Sequence, residues 1–194
     1  MKKQANYEEI LTVAESLTQT KGYNAFSYRD IAERVGIKTS SIHYHFPSKA
    51  DLGKAVVKKH LESLAEALRP LLDDKKLSSR KKLELFIDGI VAKTYLDHKK
   101  MCLGGMLASD VLTLPEAIQK EVQQFFIRIE GWLKQLLAEA VERKEFKLEK
   151  KELQTEASFI LSLFEGSLLL ARLFQDEGYL TAARRQIMAR LTKE

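Results

Sequence analysis

The chain has little of what several protein classes depend on. Its single cysteine, Cys102, excludes an internal disulfide and fits a reducing compartment. Three prolines and nine glycines in 194 residues leave few turn formers for an all-β fold. The basic start "MKKQANYEEI" leads into no apolar stretch, so no signal peptide is expected. Nor is any apolar run expected to approach the ~20 residues that cross a bilayer, so a membrane is not among the expected partners. No Walker or dinucleotide-binding glycine motif occurs, and no cofactor is expected.

What is present favours helices. Leucine, alanine, lysine and glutamate abound, with 45% hydrophobic and 30% charged residues, a composition ordinary for a soluble globular protein, and with the lone cysteine and no signal peptide a cytoplasmic protein is expected. The net charge is +5 and the pI about 9.1. Residues 1–60 hold ten Lys/Arg against six Asp/Glu, so +4 of that charge sits there. A polyanionic partner would favour such a segment.

The periodicity predicts an all-α protein of about nine helices. Ile10, Ala14 and Leu17 recur at helical spacing until Gly22 stops the first helix. Ser27 with Asp30 three residues on reads as a capping box for a second helix, ended by Gly36. A third helix spans about Thr39 to Phe46, where Pro47 ends it. Ser48 with Asp51 opens a fourth, continuing to about Arg69. Beyond the polar "DDKKLSS", a helix is expected from Ser79 to about His98, then a shorter one after Gly104 and Gly105 to about Leu112. Pro115 opens a long helix with an apolar stripe of Ile118, Val122, Phe125, Ile129, Trp132, Leu136 and Leu137. A last pair is predicted at Leu153 to about Gln175 and about Thr181 to Leu191.

The stretch "GIKTSSIHYHFPSKADL" crowds two imidazoles, hydroxyls and aromatics together. A metal clamp from a helix needs histidines four apart; His43 and His45 are two apart, about 200° around the axis. No metal site is expected. On a helical wheel Ile42 and Phe46 face the core, Ser40, His43 and Tyr44 gather opposite them, and Ser41 and His45 lie on a flank. The outer face therefore carries hydroxyls, an imidazole and a phenol without an acid, groups that donate to phosphates and base edges. A helix, a tight turn at Gly36 and this helix form a helix-turn-helix, whose second helix enters the major groove. Such pairs also occur in proteins that never touch nucleic acid, and polar faces are often merely solvated.

At these residues the chain resembles the tetracycline-repressor (TetR) family of transcriptional regulators. The likeness covers about Tyr7 to Val57 and is carried by Phe26, Ser27, Ile31, Ala32, Gly36, Ile37, Tyr44, Phe46, Lys49 and Leu52. His43 departs from it, since the family often has an aromatic there. The resemblance implies a three-helix DNA-binding head over 1–50 and a larger ligand-binding and dimerisation domain over 51–194. It further implies a homodimer joined by four-helix packing of the last two helices, a palindromic double-stranded DNA operator, and a small-molecule effector. "ASFILSLFEGSLLLARLFQ", apolar around most of its circumference, suits that dimer, and it would also suit plain core.

Under this resemblance Thr39, Ser40 and His43 are expected at base edges, and Ser41, Tyr44, His45, Lys49, Ser27 and Tyr28 at phosphates. Tyr44 could instead pack on the first helix. The effector, apolar or electrophilic, would lie among Phe86, Ile90, Tyr95, Cys102, Met106, Phe126, Trp132, Phe159 and Phe164, each of which also suits ordinary core. On a continuing helix Cys102 would share a face with His98, making it either a reactive thiolate or a buried small hydrophobe. Nucleophilic catalysis by that pair would need an orienting acid or oxyanion donors, and none is evident, so no enzyme is expected.

Overall fold

A computed structural model of the chain describes residues 2–192. Those residues form nine α-helices and three short 3-10 turns, with no strand among them. They pack as two compact units: residues up to Ser63 with Leu103–Phe125, and Leu64–Cys102 with the chain from Phe126 on.

The first unit is built on α1 (Lys2–Lys21), which buries Ile10, Leu11, Ala14 and Leu17. Gly22 ends it at φ 93°, a backbone conformation that disfavours any side chain, and a 3-10 turn, Tyr23–Ala25, follows. The expected capping box opens α2 (Tyr28–Val35): the Asp30 carboxylate accepts from the Ser27 amide at 2.8 Å and its hydroxyl at 2.7 Å. Gly36, at φ 74°, closes α2 with its amide on the Ala32 carbonyl. α3 (Thr39–His45) follows and buries Ile42, with Phe46 just beyond it. Ser48 and Asp51 cap α4 (Lys49–Asp73) with bonds in both directions. α6 (Leu103–Ser109) packs on α1, and α7 (Glu116–Glu142) begins in this unit. α6 already includes Gly104 and Gly105, two residues the periodicity had placed ahead of the helix.

The second unit holds α5 (Ser79–Lys93), the end of α4, most of α7, α8 (Leu153–Phe174) and α9 (Gly178–Leu191). All seven residues of the predicted α7 stripe are buried. α4 runs four residues past the expected end, with Pro70 inside its last turn. Its terminal carbonyls find outside donors, the Trp132 indole on Leu68 at 3.2 Å and the Lys82 ammonium on Leu72 at 3.1 Å. Lys82 is fully buried and meets both Glu139 oxygens at 2.9 Å; Arg143 bridges Glu139 and Glu145.

Two expectations are corrected. α5 stops at Lys93, five residues short of His98: Thr94 turns its hydroxyl back onto the Ile90 carbonyl at 2.6 Å, and His98 and Lys99 take positive φ. α9 starts three residues early, because the Asp176 carboxylate accepts the Gly178 amide at 2.8 Å. The expectation that no apolar stretch is long enough to span a bilayer is corrected as well. Residues 150–174 are long and apolar enough, by length and composition alone, to cross a bilayer. The cause is an apolar face left outside: Leu169, Leu170, Leu173 and Phe174 are exposed, while the opposite side of α8 packs on α9.

Candidate nucleic-acid interface

The head is set by apolar anchors. Ile31, Ala32, Ile42 and Phe46 are buried, and the Tyr7 ring stacks on Phe46 at 5.1 Å. This fixes which side of α3 turns outward. Thr39, Ser40, His43 and Tyr44 share the exposed side, and Ser41 and His45 are half-buried flanks. Tyr44 is 65% exposed and stands edge-on to His45 at 5.2 Å, so it does not pack into the interior. No acid lies between Val35 and Asp51. The arrangement offers hydroxyl, imidazole and phenol donors on one exposed helix face, which is the chemistry that phosphates and base edges accept.

Three other residues predicted at phosphates are turned elsewhere. Tyr28 is buried, its hydroxyl donates to the Phe46 carbonyl at 2.9 Å, and its ring lies edge-on to His43 at 4.7 Å. Burial, then the nearby Asp51 and Tyr23, raise its phenol pKa to about 12. The amide and hydroxyl of Ser27 both donate to Asp30, whose carboxyl those bonds hold below its ordinary range. Lys49 donates to the carbonyls of Tyr23, at 2.6 Å, and Phe26. It stands over both of their rings, 4.6 and 4.4 Å from the centroids, and burial lowers its pKa. Helix caps and a turn clamp use the same residue types as a phosphate contact, which is why periodicity could not separate them.

The exposed cations Lys21, Arg34 and Lys38 were missed by that reasoning. Lys38 is the residue before α3 and stands beside the hydroxyl face. Arg29, by contrast, is paired with Glu33 at 3.0 Å. For Lys38 the signal was available in sequence, since it has no acid four residues away, whereas Arg29 has Glu33 at that spacing.

The residues proposed around an effector are divided between the two units. Phe86 and Trp132 stack at 4.8 Å in the second unit, where Tyr95, Cys102 and Phe164 are also buried and Ile90 and Phe126 half-buried. Met106 belongs to the first unit and lies near Gly22. Phe159 is on the surface of α8 with the Arg190 guanidinium 4.6 Å over its ring. His98 and Cys102 do not share a helix face: the imidazole is 90% exposed and the thiol 8%. Cys102 is instead hydrogen-bonded to Glu165, a residue not anticipated, whose carboxyl pKa burial raises and that bond partly restores. Among the described residues no three His, Cys, Asp or Glu gather as a metal site would require.

A short capped helix pair whose second helix turns an acid-free donor face outward, carried on an otherwise helical chain, has the geometry of the helix-turn-helix class. The comparisons agree. Residues 10–56 match the family profile described as bacterial regulatory proteins, tetR family, and residues 81–187 the one described as tetracyclin repressor-like, C-terminal domain. The chain belongs to the TetR family of transcriptional regulators. It is 30% identical over 171 residues to the nucleoid occlusion factor SlmA of Vibrio campbellii, covering 86% of this chain and 84% of that one. An uncharacterized HTH-type transcriptional regulator of Lactococcus lactis is 30% identical over 174 residues, 87% of this chain and 84% of that one. A solved TetR transcriptional regulator from Legionella pneumophila superposes with a TM-score of 0.90 at 45% identity, covering 95% of this chain and 96% of that one. Family members are DNA-binding transcription regulators and not enzymes.

Proposed function

We propose that the protein is a cytoplasmic repressor. Its homodimer, joined through α8 and α9, binds a palindromic operator, and a small, mostly apolar effector releases it. In functional terms residues 1–50 read DNA, while 51–194 dimerise and hold the effector. The observation that carries the reading is the outer face of α3, where Thr39, Ser40, His43 and Tyr44 stand exposed beside Lys38. We assign base edges to Thr39, Ser40 and His43, and phosphates to Ser41, Tyr44, His45 and Lys38. The exposed apolar row on α8 supports the dimer. For Cys102, burial of the thiol limits the access that an electrophile needs, which supports an apolar effector over an electrophilic one. An effector releases DNA only by binding the released conformation more tightly, so affinity for effector and operator must be reciprocally linked.

Selection of bound duplexes from a random pool tests this directly. A recovered palindrome supports dimer, target and class together; failure to enrich any duplex at low salt refutes all three. A reporter downstream of the recovered site separates repression from activation.

A further inference from the structure

We propose that Lys49 is a positioning residue: its ammonium ties the turn ahead of α2 to the first turn of α4, and so sets how α3 is presented to DNA, without itself neutralising a phosphate. The proposal rests on the DNA-binding reading above and deepens it.

The geometry is that of an enclosed cation. An ammonium has three donors. Two go to the carbonyls of Tyr23 and Phe26, which bracket the 3-10 turn leading to the Ser27 cap. The faces of those two residues' rings, set edge-on to each other at 6.3 Å, take the positive charge at 4.6 and 4.4 Å. One helical turn on, α4 presses against the same tyrosine. A Cβ at Gly53 would lie 2.8 Å from Tyr23 Cε2 and 2.5 Å from Ile118 Cδ1, so any side chain there would force one of them to shift. The turn is thereby gripped between Lys49 and Gly53. Phe26 leads directly into α2, and α2 holds α3 through the Tyr28 hydroxyl on the Phe46 carbonyl. A displacement of the turn would therefore carry the reading helix with it.

The clamp and a phosphate contact predict opposite behaviour from arginine. Guanidinium binds phosphate at least as well as ammonium does, but its planar fork does not fit between two carbonyls and two ring faces shaped around a compact charge. On a duplex enriched by the wild-type protein, Lys49→Gln and Lys49→Arg are each expected to weaken binding about tenfold or more. The slope of log affinity against log salt should stay at its wild-type value. If Lys49→Arg binds normally, or Lys49→Gln lowers that slope by about one, Lys49 contacts phosphate and the proposal is wrong. If both variants bind normally it is also wrong.

Acetylation footprinting of the wild-type protein decides the matter even where a variant fails to fold. Lys49 should acetylate slowly with and without the duplex, while Lys38 labels fast when free and is protected in the complex. Fast labelling of free Lys49 overturns the clamp. Should the wild-type protein enrich no duplex, the DNA-binding reading fails, and the labelling rate of free Lys49 still tests the clamp separately.

Discussion

Leu173 offers a direct test of the dimer proposed to bind the operator. It lies near the end of α8 and is 66% exposed, beside Leu169, Leu170 and Phe174. Complete burial of a leucine side chain is worth about 1.5–3 kcal/mol, so covering the exposed two-thirds contributes roughly 1–2 kcal/mol in each copy. A two-fold interface counts the residue twice, giving roughly 2–4 kcal/mol per dimer and a dissociation constant raised roughly 30- to 1,000-fold by Leu173→Ala. Leu173→Asp adds two carboxylates to an apolar contact and should leave only monomer at micromolar concentration. Sedimentation over a hundredfold range of concentration measures both. Leu112 supplies the control: it is 95% exposed but lies outside α8, so Leu112→Asp should leave the dimer intact. A dimer that survives Leu173→Asp, or that dissociates with Leu112→Asp, would show that the exposed row on α8 is not the joint.

The remaining predictions concern the head, the buried ion pair and the thiol. Ser40→Ala should relax sequence preference at one operator position with an unchanged salt slope, whereas Lys38→Ala should lower the slope by about one, both read by anisotropy titration on matched and mismatched duplexes. Glu139→Ala leaves the Lys82 ammonium buried without its acid and should destabilise by about 3–5 kcal/mol in urea unfolding. Lys82→Met should cost less, because Glu139 keeps Arg143 at 3.0 Å. Burial pushes the Glu139 pKa up, but bonds from Lys82 and Arg143 outweigh it and hold the carboxyl below its ordinary range. Its stabilisation is thus fully present above about pH 4.3, the ordinary glutamate value, and is lost as pH falls through the lower folded one. Urea midpoints between pH 7 and 3 should fall less in Lys82→Met than in the wild type. Cys102 should react with a maleimide far more slowly in the native protein than in urea; equal rates would restore a reactive thiol.

Local chemistry was legible in the chain itself. The Ser27–Asp30 and Ser48–Asp51 caps, the left-handed Gly36 and the seven-residue stripe of α7 all depend on neighbours within a turn or two, and each forms as the spacing requires. The outward side of α3 followed from the same rule, because burying Ile42 and Phe46 leaves no other orientation for Ser40, His43 and Tyr44. The end of α5 was misjudged by five residues because a hydroxyl that bonds back to its own helix competes with the next turn, and the two outcomes are close in energy.

Partners far apart in the chain were decided only in three dimensions. Lys49 and Tyr28 have the residue types of phosphate contacts, yet their donors go to carbonyls 26, 23 and 18 residues away. Lys82 reads as a surface charge until Glu139, 57 residues on, meets it in the interior. Glu165 beside Cys102 and the separation of His98 from that thiol are of the same kind. Amino-acid order thus set the helices, their caps and the face each turns inward, because these obey short-range periodicity. Which polar groups are left exposed on the head was decided by packing, because a donor's availability depends on whichever acceptor the fold brings to it.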